Sequence, residues 1–133
     1  MKLTTKSEYA LLALIYIARH EKNGFIKIED ICEKYNLSKK YLEQLFFILK
    51  NSCYIKTKRG AEGGYCLAKP SGKITVAEII RLMDGALAPT ESVSHYFFSK
   101  TPLSQEKKII KVLRGIRDYI ADKLENLTLK ELI

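Results

Sequence analysis

Apolar residues recur at intervals of three and four along most of the chain, and this spacing predicts a mainly helical fold. Thr5 with Glu8 and Thr75 with Glu78 have the spacing of capping boxes, at the starts of the first and fourth helices. Single serine caps are expected before the third and fifth helices, at Ser38 and Ser104. The five predicted helices end near Arg19, Tyr35, Asn51, Asp84 and Asn126. The first helix is apolar on nearly every side, so we expect it at the centre of the core.

The second and third predicted helices, residues 28–35 and 39–51, form a helix-turn-helix, because only three residues separate them. One face of the later helix is expected to point inward; it consists of Leu42, Leu45, Phe46 and Leu49. The opposite face carries Lys40, Glu43, Gln44 and Phe47. Apart from Phe47, this face is polar and able to form hydrogen bonds, which is typical of a helix that lies in the major groove of DNA.

A β-hairpin is predicted directly after the helix-turn-helix. Residues 54–59 and 65–68 are prone to form strands, and Gly60, Gly63 and Gly64 lie between them. This order of elements predicts a winged helix. Lys58 and Arg59 are expected near the hairpin tip, where a wing reaches phosphates or a minor groove. Glycines beside Arg59 would let the backbone approach a ligand closely.

The remainder of the chain predicts a long connection and a long final helix. A connection of the length of residues 86–103 is usually functional or disordered. This connection contains a cluster of four consecutive aromatic side chains: His95, Tyr96, Phe97 and Phe98. The cluster could line a pocket for an effector or partner, or could pack the connection onto the rest of the domain. The final helix has an apolar seam that fits a coiled-coil-like dimer or else covers its own domain; the seam is Ile109, Leu113, Ile116, Ile120, Leu124 and Leu127. We favour the dimer, because the helix is longer than a domain of this size needs.

Positive charge is concentrated in the predicted helix-turn-helix and wing. The 133 residues carry a net charge of +8, of which residues 39–73 contribute +6, from eight basic and two acidic side chains. Such a local excess is what a phosphate-binding face needs, and it adds Lys39 to the candidate DNA contacts. No signal peptide is recognisable, and the longest apolar run is too short to span a bilayer, so we expect a cytoplasmic protein with no membrane partner.

Three cysteines, Cys32, Cys53 and Cys66, do not form a C-x-x-C pair, so neither a disulfide framework nor a zinc site is expected. Cys66 lies in the wing near several lysines, which could favour its thiolate and make it a redox switch. The alternative is a small apolar wing residue. Neither a nucleophile–base pair nor a phosphate-binding glycine loop is recognisable, which argues against an enzyme.

Four stretches resemble the Rrf-type bacterial winged-helix transcriptional regulators: MKLTTKSEYALLAL, LSKKYLEQLF, KRGAEGGYCLAK and ITVAEIIRLMDG. The resemblance is close over residues 1–85 and continues as a general plan to the end. It implies a winged-helix DNA-binding domain over 1–85, a connecting or effector loop over 86–103 and a dimerisation helix within 104–133. It also implies a homodimer on a palindromic or pseudo-palindromic operator. The DNA contacts it implies are Ser38, Lys40, Tyr41, Glu43, Gln44, Arg59, Gly60, Gly64 and Tyr65.

The chain departs from the cluster-binding members of this family, which carry three cysteines in the segment corresponding to 86–106. Here that segment has none, and its only candidate ligands are Glu91, His95 and Glu106. Thiolates are the main ligands of iron–sulfur clusters, so no cofactor is expected. The chain is more similar to the cluster-free branch, which includes cysteine-metabolism regulators.

These observations predict a sequence-specific transcription regulator, favoured as a repressor, that binds double-stranded DNA as a homodimer. Gln44 is suited to adenine, and Glu43 could accept from a cytosine amino group or pair with Lys39 or Lys40 within the helix. The alternative is a winged helix that docks a metabolic enzyme and binds DNA weakly or not at all.

Overall fold

The computed structural model describes residues 1–133 and confirms a mainly helical fold with one small hairpin. It contains five α-helices and one antiparallel pair of strands: α1 Thr5–Arg19, α2 Ile28–Tyr35, α3 Lys39–Asn51, β1 Ile55–Lys58, β2 Gly64–Leu67, α4 Val76–Asp84 and α5 Lys107–Glu125. Short 3-10 turns connect several of them. None of the helices combines the length and the apolar character needed to cross a bilayer.

The first helix begins one residue earlier than the capping pattern predicts. Thr4 is its N-cap, and the Thr4 side chain accepts a hydrogen bond from the Lys6 amide at 3.2 Å. Thr5 is already inside the helix, and its hydroxyl lies 3.2 Å from the Tyr41 hydroxyl. The predicted capping box of Thr5 and Glu8 is therefore wrong, because the adjacent threonine has the extended backbone that an N-cap requires.

The predicted cap of the final helix is also wrong. Ser104 lies in a 3-10 turn that precedes α5, and its hydroxyl accepts from the Thr101 amide at 3.1 Å. The helix itself begins at Lys107 without a side-chain cap. In contrast, the Ser38 cap and the capping box of Thr75 with Glu78 are both confirmed.

The core is built around α1, as its apolar character predicts. Ala13, Leu14 and Ile17 are fully buried there. The inward face of α3 packs into the same cluster, and its members are at most 1% exposed: Leu42, Leu45, Phe46 and Leu49. Burying a leucine or isoleucine contributes roughly 1.5–3 kcal/mol, so this cluster fixes which face of α3 remains outside.

The end of the chain turns back onto this core after α5. Leu129 is fully buried in the cluster that contains α1 and α3. Its amide donates to the Ile74 carbonyl at 3.0 Å, and the Val76 amide donates to the Leu127 carbonyl at 2.9 Å. The last residues thus anchor α5 to the amino-terminal part of the chain rather than extend the helix.

The predicted seam of α5 is divided between two faces. Leu113, Ile120 and Leu124 are half-buried and pack against their own chain, on clusters built from α4 and the connection that follows it. Ile109 and Ile116 instead remain exposed, and two exposed residues that the seam did not include share their side of the helix, Val112 and Tyr119. These four residues form the outer stripe of α5, and their steps of three, four and three residues are those of a coiled-coil seam.

Candidate nucleic-acid interface

The face of α3 opposite the core is free of tertiary contacts that would bury it. Lys40, Glu43, Gln44 and Phe47 are all exposed, as predicted, and we call them the outer face of α3. The Ser38 hydroxyl accepts from the Tyr41 amide at 3.4 Å and fixes where this helix begins. A helix anchored by one buried face and capped at its first turn can present the other face as a rigid surface.

The amino-terminal end of α1 supports the start of α3. The Tyr41 ring packs edge-on against the Tyr9 ring, with centroids 5.6 Å apart, and its hydroxyl reaches the Thr5 hydroxyl. Tyr41 is half-buried in this arrangement. Its phenol edge is therefore held in one orientation at the rim of the outer face of α3.

Lys39 is engaged within the protein rather than free for a ligand. Its ammonium lies 2.8 Å from the Glu29 carboxylate on α2 and 3.9 Å from the Glu43 carboxylate one turn along α3. The hydrogen bond with Lys39 lowers the pKa of Glu29, and the same bond raises the pKa of Lys39. The intrahelical pairing considered for Glu43 is present, but at a long distance, so the Glu43 carboxylate keeps its exposure.

The hairpin projects a basic edge. Ile55 pairs with Leu67 at its base, and Lys58 pairs with Gly64 near its tip. The tip side chains predicted to reach phosphates, Lys58 and Arg59, are exposed, as is Gly60. Lys27 donates from its ammonium to the Ala61 carbonyl at 3.1 Å, which ties the tip to the segment before α2.

Gly63 and Gly64 are required by contacts inside the protein. A Cβ on Gly64 would lie 2.5 Å from the Ile26 carbonyl oxygen, and one on Gly63 would lie 2.2 Å from the Lys58 carbonyl oxygen. Both neighbours are backbone atoms that cannot move aside. The explanation offered from sequence, close approach to a ligand, is therefore not needed for these two glycines, because the wing could not close on itself with a side chain at either position.

Tyr65 joins the wing to α3. Its amide and carbonyl both bond to Ile26 at 2.7 Å, and its ring meets the Phe46 ring edge-on with centroids 4.6 Å apart. Burial raises the pKa of its half-buried hydroxyl. The structure thus shows Tyr65 fixing the angle between wing and helix, a contact that no local sequence pattern signals.

The connection after α4 is anchored through small buried residues, while its aromatic cluster faces outward. Val93 and Ser94 are buried, and the Arg117 guanidinium donates to the Val93 carbonyl at 2.9 Å. The predicted cluster is exposed in full: His95, Tyr96, Phe97 and Phe98. The cavity beneath it has a volume of about 10 Å³, which is room for about one water.

Cys66 is half-buried at the centre of the wing. Burial raises the pKa of its thiol, and the nearby Lys56 ammonium only partly offsets that effect. Lys56 thus favours the thiolate, as expected, but the loss of hydration outweighs its attraction, so the pKa of this thiol is not lowered overall. Cys32 and Cys53 are also unpaired thiols.

A helix-turn-helix with an exposed polar outer face, followed by a basic hairpin, defines a winged-helix DNA-binding protein. The chain belongs to the Rrf2 family, whose model, described as an iron-dependent transcriptional regulator, matches residues 3–133. It is 35% identical over 132 residues to the transcriptional regulator CymR of Bacillus subtilis, covering 99% of this chain and 89% of that protein. It is 33% identical to the regulator IscR of Pectobacterium atrosepticum, covering all of this chain and 79% of that protein.

The fold agrees with that assignment. The solved structure of CymR, the global cysteine regulator of B. subtilis, superposes with a TM-score of 0.79 and 31% identity over 99% of this chain and 95% of that one. The resemblance found in the sequence is thus confirmed. The chain is a DNA-binding transcriptional regulator and does not belong to a family of enzymes.

The iron dependence in the family description does not fit the donor set of this chain. Nowhere do three histidine, cysteine, aspartate or glutamate side chains converge on one point. All three thiols lie in or beside the winged helix, and the connection after α4 contains none. Its histidine, His95, faces Asp118 at 3.7 Å. These groups do not make the thiolate cage that a cluster requires.

Proposed function

We propose that the protein is a cluster-free transcription repressor that binds an inverted-repeat operator in the cytoplasm as a homodimer. The observation that carries this proposal is the pairing of an exposed, hydrogen-bonding outer face on α3 with a basic wing held at a fixed angle through Tyr65. In this arrangement α3 can enter a major groove while the wing contacts the adjacent DNA backbone.

Different residues have different tasks in this proposal. Gln44 reads an adenine edge and Glu43 accepts from a cytosine amino group. Five other groups hold phosphates or sugars, and they are Ser38, Lys40, Tyr41, Lys58 and Arg59. Lys39 can join them only by releasing Glu29. The remaining wing residues, Gly60, Gly64 and Tyr65, set the path of the backbone that approaches the DNA.

The homodimer in this proposal is held by the outer stripe of α5. Val112 is 57% exposed and Tyr119 is 67% exposed, although both are large and apolar. A contiguous exposed apolar stripe of this kind marks an interaction surface. Its coiled-coil spacing favours a second copy of the same helix as the partner, and two copies would present two winged helices to two half-sites.

Salt dependence tests the electrostatic part of this proposal. The exposed Lys56 of β1 adds to the positive charge of Lys40, Lys58 and Arg59, and Lys39 becomes a fifth cation per protomer if it is released from Glu29. We expect the logarithm of the binding constant to fall with the logarithm of the salt concentration with a slope of about −5 to −9. Fluorescence anisotropy with a labelled duplex measures it. A slope near zero would instead support the alternative, a winged-helix module that docks a metabolic enzyme and binds DNA weakly or not at all.

Metal content tests the cluster-free part. Protein purified without oxygen should be colourless and should contain neither iron nor inorganic sulfide in stoichiometric amounts, because no thiolate cage is available. Elemental analysis with a visible absorption spectrum checks this. Stoichiometric iron would contradict it and would direct attention to His95 with Glu91 or Glu106.

A further inference from the structure

Phe47 is the one large apolar residue on the otherwise polar outer face of α3. Its side chain is 67% exposed, although the residue before it, Phe46, is 1% exposed in the core. It follows Lys40, Glu43 and Gln44 at helical spacing, so its side chain lies on their side of the helix. Together with Ile48 these residues border a shallow depression on the surface.

This placement separates Phe47 from the other exposed apolar side chains. Those on α5 belong to the outer stripe, and Tyr96, Phe97 and Phe98 in the connection after α4 are consecutive. Phe47 has a lysine, a glutamate and a glutamine as its neighbours on the same face. A protein partner that covered only this ring would also have to bury those polar groups, which is costly unless each is paired. A major groove, in contrast, offers polar base edges beside apolar methyl groups.

We propose that Phe47 recognises a thymine by contact with its C5-methyl group, and this inference rests on the function proposed above. In the major groove the thymine methyl is the one apolar group at a base edge, and phenylalanine is among the side chains that contact it. Insertion between bases is not the arrangement favoured here, because apolar wedges act from the minor groove. Phe47 thereby gives the outer face of α3 a third base-reading position.

The spacing along α3 limits where the thymine lies. Phe47 is three residues beyond Gln44, which is about 4.5 Å along the helix axis at 1.5 Å per residue. Base pairs are stacked about 3.4 Å apart. The thymine should therefore lie within two base pairs of the position that Gln44 contacts, once in each half-site.

The test uses the full-length protein and an operator selected from random DNA, in which each thymidine is replaced in turn by deoxyuridine. This replacement removes only the methyl group. Wild-type protein should lose about fourfold in affinity per half-site at one position, as expected for one buried methyl group. The Phe47→Ala variant should bind both duplexes equally at that position. Ile133→Ala, a change at another exposed apolar side chain, should retain the wild-type preference.

The outcomes separate this inference from the function on which it rests. If the wild type binds the operator specifically but no deoxyuridine lowers its affinity, the role of Phe47 is wrong and the regulator proposal stands. The role of Phe47 is equally wrong if Phe47→Ala retains the preference for the methyl group. If the wild type selects no duplex at all, both proposals fail. Thermal unfolding of the variant checks that its fold is intact, and an exposed side chain should alter it little.

Discussion

Replacing Ile116 with glutamate should convert the protein from dimers to monomers and lower its operator affinity by roughly 100-fold or more. Ile116 is 44% exposed at the centre of the outer stripe of α5, so the change places a charge in the dimer contact without disturbing the core of the protomer. Two copies of the charge would face each other across a symmetric interface. Each half-site would then be held by one winged helix alone, and the second binding event would no longer be intramolecular.

A matched control distinguishes this effect from a general effect of charge. Lys111 is exposed on the polar side of the same helix, so Lys111→Glu should remain dimeric. Light scattering at micromolar concentration measures both variants. A dimeric Ile116→Glu protein with wild-type affinity would contradict the proposed interface. Leu113 and Ile120 are poorer sites for this test, because they pack against their own chain and their loss would damage the fold.

Removing the Gln44 side chain should impair discrimination, whereas removing the Arg59 side chain should impair affinity. Gln44→Ala loses a pair of hydrogen bonds to one base, which should cost about 1–3 kcal/mol of discrimination at one base pair in each half-site and change the salt slope little. Arg59→Ala should weaken binding to many sequences and make the slope shallower by about one unit per subunit if it pairs with one phosphate. Glu43→Ala should relax base preference without weakening overall binding, because it also removes a negative charge near phosphates.

These variants are compared on the selected operator and its single-base variants at several salt concentrations. Lys130→Ala, which removes an exposed charge from the tail at the far end of the chain, should leave the slope and the preference unchanged. If Gln44→Ala and Glu43→Ala lower all affinities by one common factor, the outer face of α3 does not read bases in the proposed way.

The sequence predicts those parts of the fold that depend on local signals. The bounds of α2 and α3 agree with the structure, because an Asn-Leu-Ser turn with a serine cap separates two amphipathic helices. The hairpin and the stop of α4 at Gly85 are likewise marked by glycines. The start of α1 cannot be predicted in the same way. Thr4 and Thr5 can each serve as an N-cap, and only the folded backbone decides between them.

The contacts that shape the interface are non-local, and the sequence does not reveal them. Nothing in the pattern shows that Tyr65 bonds to Ile26, or that Lys39 bridges to Glu29 on the preceding helix. The division of the α5 seam between two faces has a related cause. Its apolar residues are spaced so that two different series of three- and four-residue steps can be traced along the helix, and the packing of α4 and the connection determines which one faces inward.

The most direct test of the central claim is selection of duplexes bound by the full-length protein from a random pool, followed by sequencing. We predict enrichment of one inverted repeat, with half-site centres about one helical turn, or 10 base pairs, apart, as two winged helices in a symmetric dimer require. The same bases should recur in both half-sites, including an adenine and a thymine within two base pairs of each other. Recovery of a pool no more ordered than the input, or of a sequence without internal symmetry, would contradict a dimeric, sequence-specific regulator.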